Sequence, residues 1–297
     1  HLVPGDGAVG ARLVADARTA GVCFTGSTEV GRAINQALAA KKGPIVPLIA
    51  ETGGVNAMIV DATALPEQVI DDAITSAFRS AGQRCSALRL LCLQDDIAEP
   101  MLEMLVGAMR ELKIGDPREA STHVGPVIEA EAKQKLEGWI AEMASAGRLR
   151  FRCEHPAALP AGGIYVVPAL IELDRARELR EEVFGPVLHV TRWGAEELDA
   201  LLDDIAANGT ALTLGLHSRI DRTVERAAAR LPHGNIYVNR SMIGAVVGTQ
   251  PFGGTLLSGT GPKAGGPNYL RRFATEQTVT VNTAAAGGNA GLLALDD

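Results

Sequence analysis

Apolar residues recur along this chain in two rhythms: short continuous bursts, and longer stretches with a three-to-four spacing. The first burst, Gly21-Val22-Cys23-Phe24-Thr25, predicts a buried strand. A short helical pattern over 9–18 precedes it, and the turn Gly26-Ser27-Thr28-Glu29-Val30-Gly31 follows. Helical periodicity then runs through Ala33, Ile34, Ala37 and Leu38, with Ser27 or Thr28 as the N-cap. Strands are predicted over 45–50 and 57–61, a helix over 66–80 and a further strand over 87–93. Helices over 97–112 and 129–146 come next, with short strands around 148–152, 164–167 and 187–191. Helix 195–207, strand 212–216, helix 221–231 and strand 235–239 keep the alternation, and 278–282 reads as a last strand. Alternating strands and helices predict an α/β chain whose largely parallel sheet is covered by helices. Residues 244–266 are glycine-rich and lack periodicity, yet contain Val246-Val247 and Pro251-Phe252. Apolar pairs have no use in a solvated linker, so this stretch is expected to be an ordered loop lining a cavity.

Composition narrows the class. The 297 residues are enough for about two domains and a large core. Hydrophobic residues make up 46% and aromatics only 4%, so packing must rely on Ala, Val, Leu and Ile. A net charge of -7 leaves no basic footprint for nucleic acid. No apolar run reaches membrane-spanning length, and His1-Leu2-Val3-Pro4-Gly5 lacks the order of a signal peptide. Cys23, Cys85, Cys92 and Cys153 form no C-x-x-C pair, and the histidines are scattered singly. The expectation is a reduced, cytoplasmic chain without a structural metal.

Three places carry candidate chemistry. In Gly82-Gln83-Arg84-Cys85-Ser86-Ala87 a cysteine occupies a polar break between helix and strand, with backbone N–H groups and the Arg84 cation nearby to favour thiolate. The helix opening after Ser27 offers free N–H groups and a partial positive charge to a phosphate. Its G-x-x-x-x-G spacing departs from the dinucleotide fingerprint and lacks the lysine of a P-loop. Glu51, at a strand end before Thr52-Gly53-Gly54, is a carboxylate whose pKa an apolar pocket would raise. A cysteine hydrolase would need a histidine partner, and neither His123 nor His155 lies in a recognisable motif.

Together these segments resemble the aldehyde dehydrogenase superfamily over almost the whole chain. Phe24 to Gly31 is similar to its nucleotide-binding turn, Glu51-Thr52-Gly53-Gly54 to the general-base block, and Gly82-Gln83-Arg84-Cys85 to the nucleophile block. Glu182-Val183-Phe184-Gly185-Pro186-Val187 resembles the cofactor-ribose block, and Pro251-Phe252-Gly253-Gly254 the loop closing the substrate channel. The resemblance implies Cys85 as nucleophile, Glu51 as general base, and NAD held by Thr25, Gly26, Ser27, Glu182 and Phe184. It implies the end of a Rossmann-type nucleotide-binding domain over 1–53 and an α/β catalytic domain over 54–262. A C-terminal helix, an oligomerisation strand and a tail would fill 263–297. Asn235 to Gly254, and Ser86 after the nucleophile, resemble the glutamate-semialdehyde (1-pyrroline-5-carboxylate) dehydrogenases. In that group a loop binds the substrate α-carboxylate, which carries over to Ser86, Gly244 and Ala245, with Phe252 walling the aliphatic part.

The run Leu257 to Pro267 and the Thr278 to Thr283 segment with its Ala/Gly tail resemble the proline utilization A group of bifunctional bacterial enzymes. That implies a proline dehydrogenase domain, carrying FAD, elsewhere in the same polypeptide, and a homo-oligomer. The family's upstream nucleotide-binding half, with an oxyanion asparagine and an adenine-ribose lysine, is expected to lie outside residues 1–297. The isolated chain is therefore expected to be weak or inactive, an assembly piece being the alternative. NAD rather than NADP follows from the resemblance alone.

Overall fold

The computed structural model describes residues 1–282. Helix α1 (Gly7–Ala15), strand β1 (Val22–Gly26), helix α2 (Thr28–Ala39) and strand β2 (Leu48–Thr52) form a first unit. In it β1 and β2 pair in parallel. The remainder builds on a seven-stranded sheet whose order is β10-β9-β3-β4-β7-β6-β5. Its strands are β3 (Ala57–Val60), β4 (Leu90–Gln94), β5 (Leu149–Arg152), β6 (Ala169–Glu172), β7 (Val187–Trp193), β9 (Thr213–His217) and β10 (Asn235–Val238). Every pairing is parallel except β5 with β6. Two-residue strands β8 (Thr210–Ala211) and β11 (Thr255–Leu256) make a small antiparallel ribbon. Helices α3 (Pro66–Phe78), α4 (Asp95–Arg110), α5 (Ala130–Ser145), α6 (Leu198–Ala206) and α7 (Asp221–Arg230) complete the fold.

Central strands β3 and β4 are buried at every position, as a parallel sheet covered on both faces requires. Their apolar residues pack with Val69, Ala73 and Phe78 of α3 and with Met101 and Leu105 of α4 in one continuous core. A separate small cluster of Val14, Leu38, Leu48 and Ala50 holds the first unit together. The sheets change between Thr52 and Ala57, and the first unit is tied to the second by the glycine-rich loop. Thr52 N–H donates to Ser258 O (3.0 Å), Thr260 N–H to Ala50 O (2.9 Å) and Ala50 N–H to Thr260 Oγ1 (2.9 Å).

Several sequence expectations are corrected. Glu51 lies within strand β2 rather than after it, because β1 carries the parallel pairing on to Thr25 with Glu51 and Gly26 with Thr52, while Gly259 bridges Glu51 on the other edge. The nucleophile-side strand begins at Leu90 and not at position 87, since the amides of Leu88, Arg89 and Leu90 go to Ser76 O and Asn56 O. Residues 164–167 form no strand; β6 takes the sheet position a few residues later. Residues 278–282 belong to no sheet of the described chain, and Val279 and Val281 are exposed. In 263–282 the helical content is one short 3-10 turn, Leu270–Phe273. The Ala/Gly tail lies outside the described residues.

Candidate active site

The turn carrying Cys85 is hung from the core by its carbonyl groups. Ser80 and Ala81 take positive φ, and Gly82 follows at φ +65°. A Cβ on Gly82 would stand 2.1 Å from the Gly185 carbonyl oxygen, so only glycine fits there. From this kink onward each inward carbonyl meets a buried donor. Asn56 Nδ2 donates to Cys85 O (2.7 Å) and Ala87 O (2.9 Å), while Asn56 Oδ1 accepts from Thr213 N–H (3.1 Å). Thr213 Oγ1 donates to Ser86 O (3.2 Å). Arg89 Nη1 donates to Gly82 O (2.6 Å) and Arg89 Nη2 to Arg84 O (3.0 Å). With the carbonyls held inward, the amides of Cys85 and Ser86 turn toward the sulfur.

Burial pushes the half-buried Cys85 thiol up, and the negative charges of Glu182 and Glu51 push it further; the two amides oppose this. Both carboxylates therefore act on the same sulfur. The expected help from Arg84 does not materialise: its guanidinium is turned to Ser80 Oγ (2.9 Å). That bond keeps the Arg84 cation on the outer side of the turn.

Glu51 is reached from the other unit. The β1–β2 register sets Thr25 beside it, and Gly254 N–H donates to its Oε2 (3.0 Å). Its Oε1 is buried and has no hydrogen-bond partner among the described residues. Burial raises the Glu51 pKa from 4.5 to about 7, against the Gly254 amide and the Lys263 charge. Between those values the folded state binds the proton that the unfolded chain has released, so stability falls as pH rises through this window. Glu51→Gln should therefore melt higher than wild type at pH 8, with the gap closing toward pH 4.5, as thermal denaturation across pH would show.

Glu182 and Phe184 come from the loop before β7. Glu182 Oε1 accepts from Arg89 Nη2 (3.0 Å) and Nε (3.3 Å). Burial raises its pKa, and Arg89 together with the Gly54 amide pulls it back. A Cβ on Gly53 would fall 1.7 Å from Glu182 Oε2, so the chain after Glu51 must be bare for that carboxylate to lie there. Phe184 is partly exposed, with the Arg89 guanidinium 5.1 Å from its ring centre. At the start of α2, Ser27 Oγ accepts from Val30 N–H (3.2 Å) as the N-cap, and its own hydroxyl hydrogen meets no acceptor among the described residues.

The remaining candidates sit along the loop. Phe252 pairs with Ala264 through reciprocal backbone bonds of 3.0 and 2.8 Å. Gly244, at φ +79°, and Ala245 precede a turn closed by Gln250 N–H on Val246 O (2.8 Å). Neither the Gly244 nor the Ala245 amide donates a hydrogen bond among the described residues. Two residues escaped the sequence reading, Asn56 and Arg89. Each was a lone polar residue in an apolar run, and that was the available signal.

Residues 1–279 match the sequence profile of the aldehyde dehydrogenase family. This chain belongs to that family. The bifunctional protein PutA of Salmonella typhimurium is 55% identical over 281 residues, which are 92% of this chain and 21% of that protein. A crystal structure of bifunctional proline utilization A (PutA) matches with a TM-score of 0.90 and 65% identity, covering 95% of this chain and 28% of the other. A 1-pyrroline-5-carboxylate dehydrogenase from Thermus, solved with bound NAD, matches at TM-score 0.82 and 36% identity over 91% of this chain and 52% of that one. The chain thus spans about a fifth of the length of the PutA relative. The aldehyde dehydrogenase fold accounts for the mostly parallel sheet with its Cys85 turn at one end.

Proposed function

We propose that this chain is the catalytic part of an NAD-dependent dehydrogenase that oxidises L-glutamate γ-semialdehyde, formed from 1-pyrroline-5-carboxylate, to L-glutamate. The observation that carries the reading is the buried, unpartnered Oε1 of Glu51 in a site whose charge reaches the Cys85 thiol. A carboxylate kept basic near neutrality and free to accept a proton is what hydrolysis of an acyl-cysteine needs.

The residues present fit a dinucleotide. The α2 N-terminus with Ser27 suits a pyrophosphate, and Glu182 lies in the glycine-shaped opening at Gly53, ready to accept from ribose hydroxyls. When bound, NAD supplies the hydride acceptor. Cys85, as thiolate, adds to the aldehyde carbon and forms a hemithioacetal, with the Cys85 amide facing the oxyanion. Collapse of that oxyanion expels hydride from carbon and leaves a thioester on Cys85. Glu51 takes a proton from water, the water oxygen attacks the acyl carbon, and the thiolate departs. Gly244 and Ala245 present unengaged amides to the substrate α-carboxylate, supported by Ser86, and Phe252 walls the aliphatic chain.

The same reading places a proline dehydrogenase domain with its flavin in the same polypeptide, a homo-oligomer as the assembly and the cytoplasm as location. The test is NADH formation by the full-length protein from 1-pyrroline-5-carboxylate and from propanal at equal concentration. The carboxylate-bearing substrate should be favoured by roughly 100-fold or more in kcat/KM, the value of a satisfied charge-assisted hydrogen-bond pair. Equal rates would remove the substrate assignment.

A further inference from the structure

Arg89 is the largest fully buried side chain in the molecule's described part, and it is charged. Burying an arginine is tolerable when every donor is met. Its bonds are to Gly82 O (2.6 Å) and Gly185 O (3.3 Å) from Nη1, to Arg84 O (3.0 Å) and Glu182 Oε1 (3.0 Å) from Nη2, and to Glu182 Oε1 (3.3 Å) from Nε. The planar fork thus meets an acceptor at each of its N–H groups. Those acceptors come from two segments far apart in sequence. Gly82 and Arg84 belong to the turn that carries Cys85, whereas Glu182 and Gly185 belong to the loop that also supplies Phe184.

The backbone of Arg89 is fixed as firmly as its side chain. Its carbonyl accepts from His189 N–H (2.9 Å) and lies 3.0 Å from His189 Nδ1. Trp139 Nε1–H donates to His189 Nε2 (2.9 Å), which leaves the ring hydrogen on Nδ1, donating to Arg89 O. Burial holds the His189 pKa down at about 4, so the ring is neutral and this tautomer stays in place. The chain of contacts runs from α5 through β7 to Arg89, and ends on the two working loops.

We propose that Arg89 is a positioning residue that locks the nucleophile turn to the carboxylate holding the cofactor ribose, setting sulfur and nicotinamide in one register. The proposal rests on the dehydrogenase reading for the role of Glu182. A lysine at this position offers a point charge in place of a fork and can serve one segment or the other, not both. A simple core-filling role predicts loss of stability alone. A linking role predicts that two separate properties move together.

The experiment uses the full-length protein as wild type, Arg89→Lys, Arg89→Met, Glu182→Gln and the Arg89→Met/Glu182→Gln double variant. NAD affinity is measured by fluorescence titration, and alkylation of Cys85 by iodoacetamide is followed by mass spectrometry at fixed pH. Arg89→Lys should stay folded but melt below wild type, weaken NAD binding about 10-fold and slow Cys85 alkylation about 10-fold. The double variant should be no worse in NAD binding than Arg89→Met, because the two groups act as a unit. Should Arg89→Met fail to fold, Arg89→Lys carries the test alone. Unchanged alkylation and affinity in Arg89→Lys, or losses that multiply in the double variant, would overturn the proposal. Neither readout requires turnover, so a wild type inert toward the semialdehyde would remove the substrate reading and leave this linkage standing.

Discussion

Full-length Glu51→Gln is expected to release close to one equivalent of NADH per site in a rapid first phase and then to stall. Quench-flow with the acyl-enzyme trapped on Cys85 is the measurement. The reasoning follows the two halves of the reaction. Cys85 addition and hydride loss need the thiolate and the cofactor, and the glutamine leaves both in place. Hydrolysis needs a base, and glutamine has none at neutral pH. Steady-state turnover should fall by roughly 100- to 10,000-fold, while the burst survives. Cys85→Ala should show neither burst nor turnover. In wild type the steady-state rate should rise with pH around the Glu51 value of about 7, and that limb should vanish in the glutamine variant. A glutamine variant with undiminished turnover would mean that another group activates the water.

Gly82→Ala is the second large effect. An alanine there must hold φ +65°, and its methyl must enter the 2.1 Å gap to the Gly185 carbonyl. Left-handed strain costs about 1–2 kcal/mol, and overpacking against rigid backbone adds about 1–3 kcal/mol. The expected loss is thus about 2–5 kcal/mol, with the Cys85 turn displaced and activity lost alongside stability. Gly138→Ala provides the opposite case. It sits in helix α5 with open space where the methyl would go, so a gain of roughly 0.5–1 kcal/mol is expected. Urea or thermal unfolding of both variants distinguishes the two; a stable, active Gly82→Ala would mean that the turn can relax.

The order of strands and helices was legible because β3 and the Leu90–Leu93 run of β4 are unbroken apolar stretches and the helices keep their periodicity. Glu51 could be named from its block, but its place inside a strand could not. The register of β2 with β1 runs on to Thr52, and its other edge is held by the 258–260 segment more than 200 positions away, which leaves no local pattern. Residues 278–282 show the reverse case. Alternating β-branched residues there read as a strand that bridges subunits, and within the described single chain they join no sheet. Arg84 was read as the helper of Cys85 because it is adjacent in sequence. Adjacency says nothing about direction, and the guanidinium that does underlie the turn belongs to Arg89.

The stitching of β2 to Ser258 and Thr260 bears on how the molecule is made. Glu51 and the Cys85 turn leave the ribosome well before the loop that seats the carboxylate. The Gly254 amide that grips the carboxylate, and the loop edge that completes its strand, arrive only some 200 residues later. A growing polypeptide can thus own a shaped nucleophile turn before its base has been seated. Seating of the base is deferred until Thr260 has been made, and a stop codon just upstream of Thr260 should yield protein with a sulfur but no water-activating partner in position.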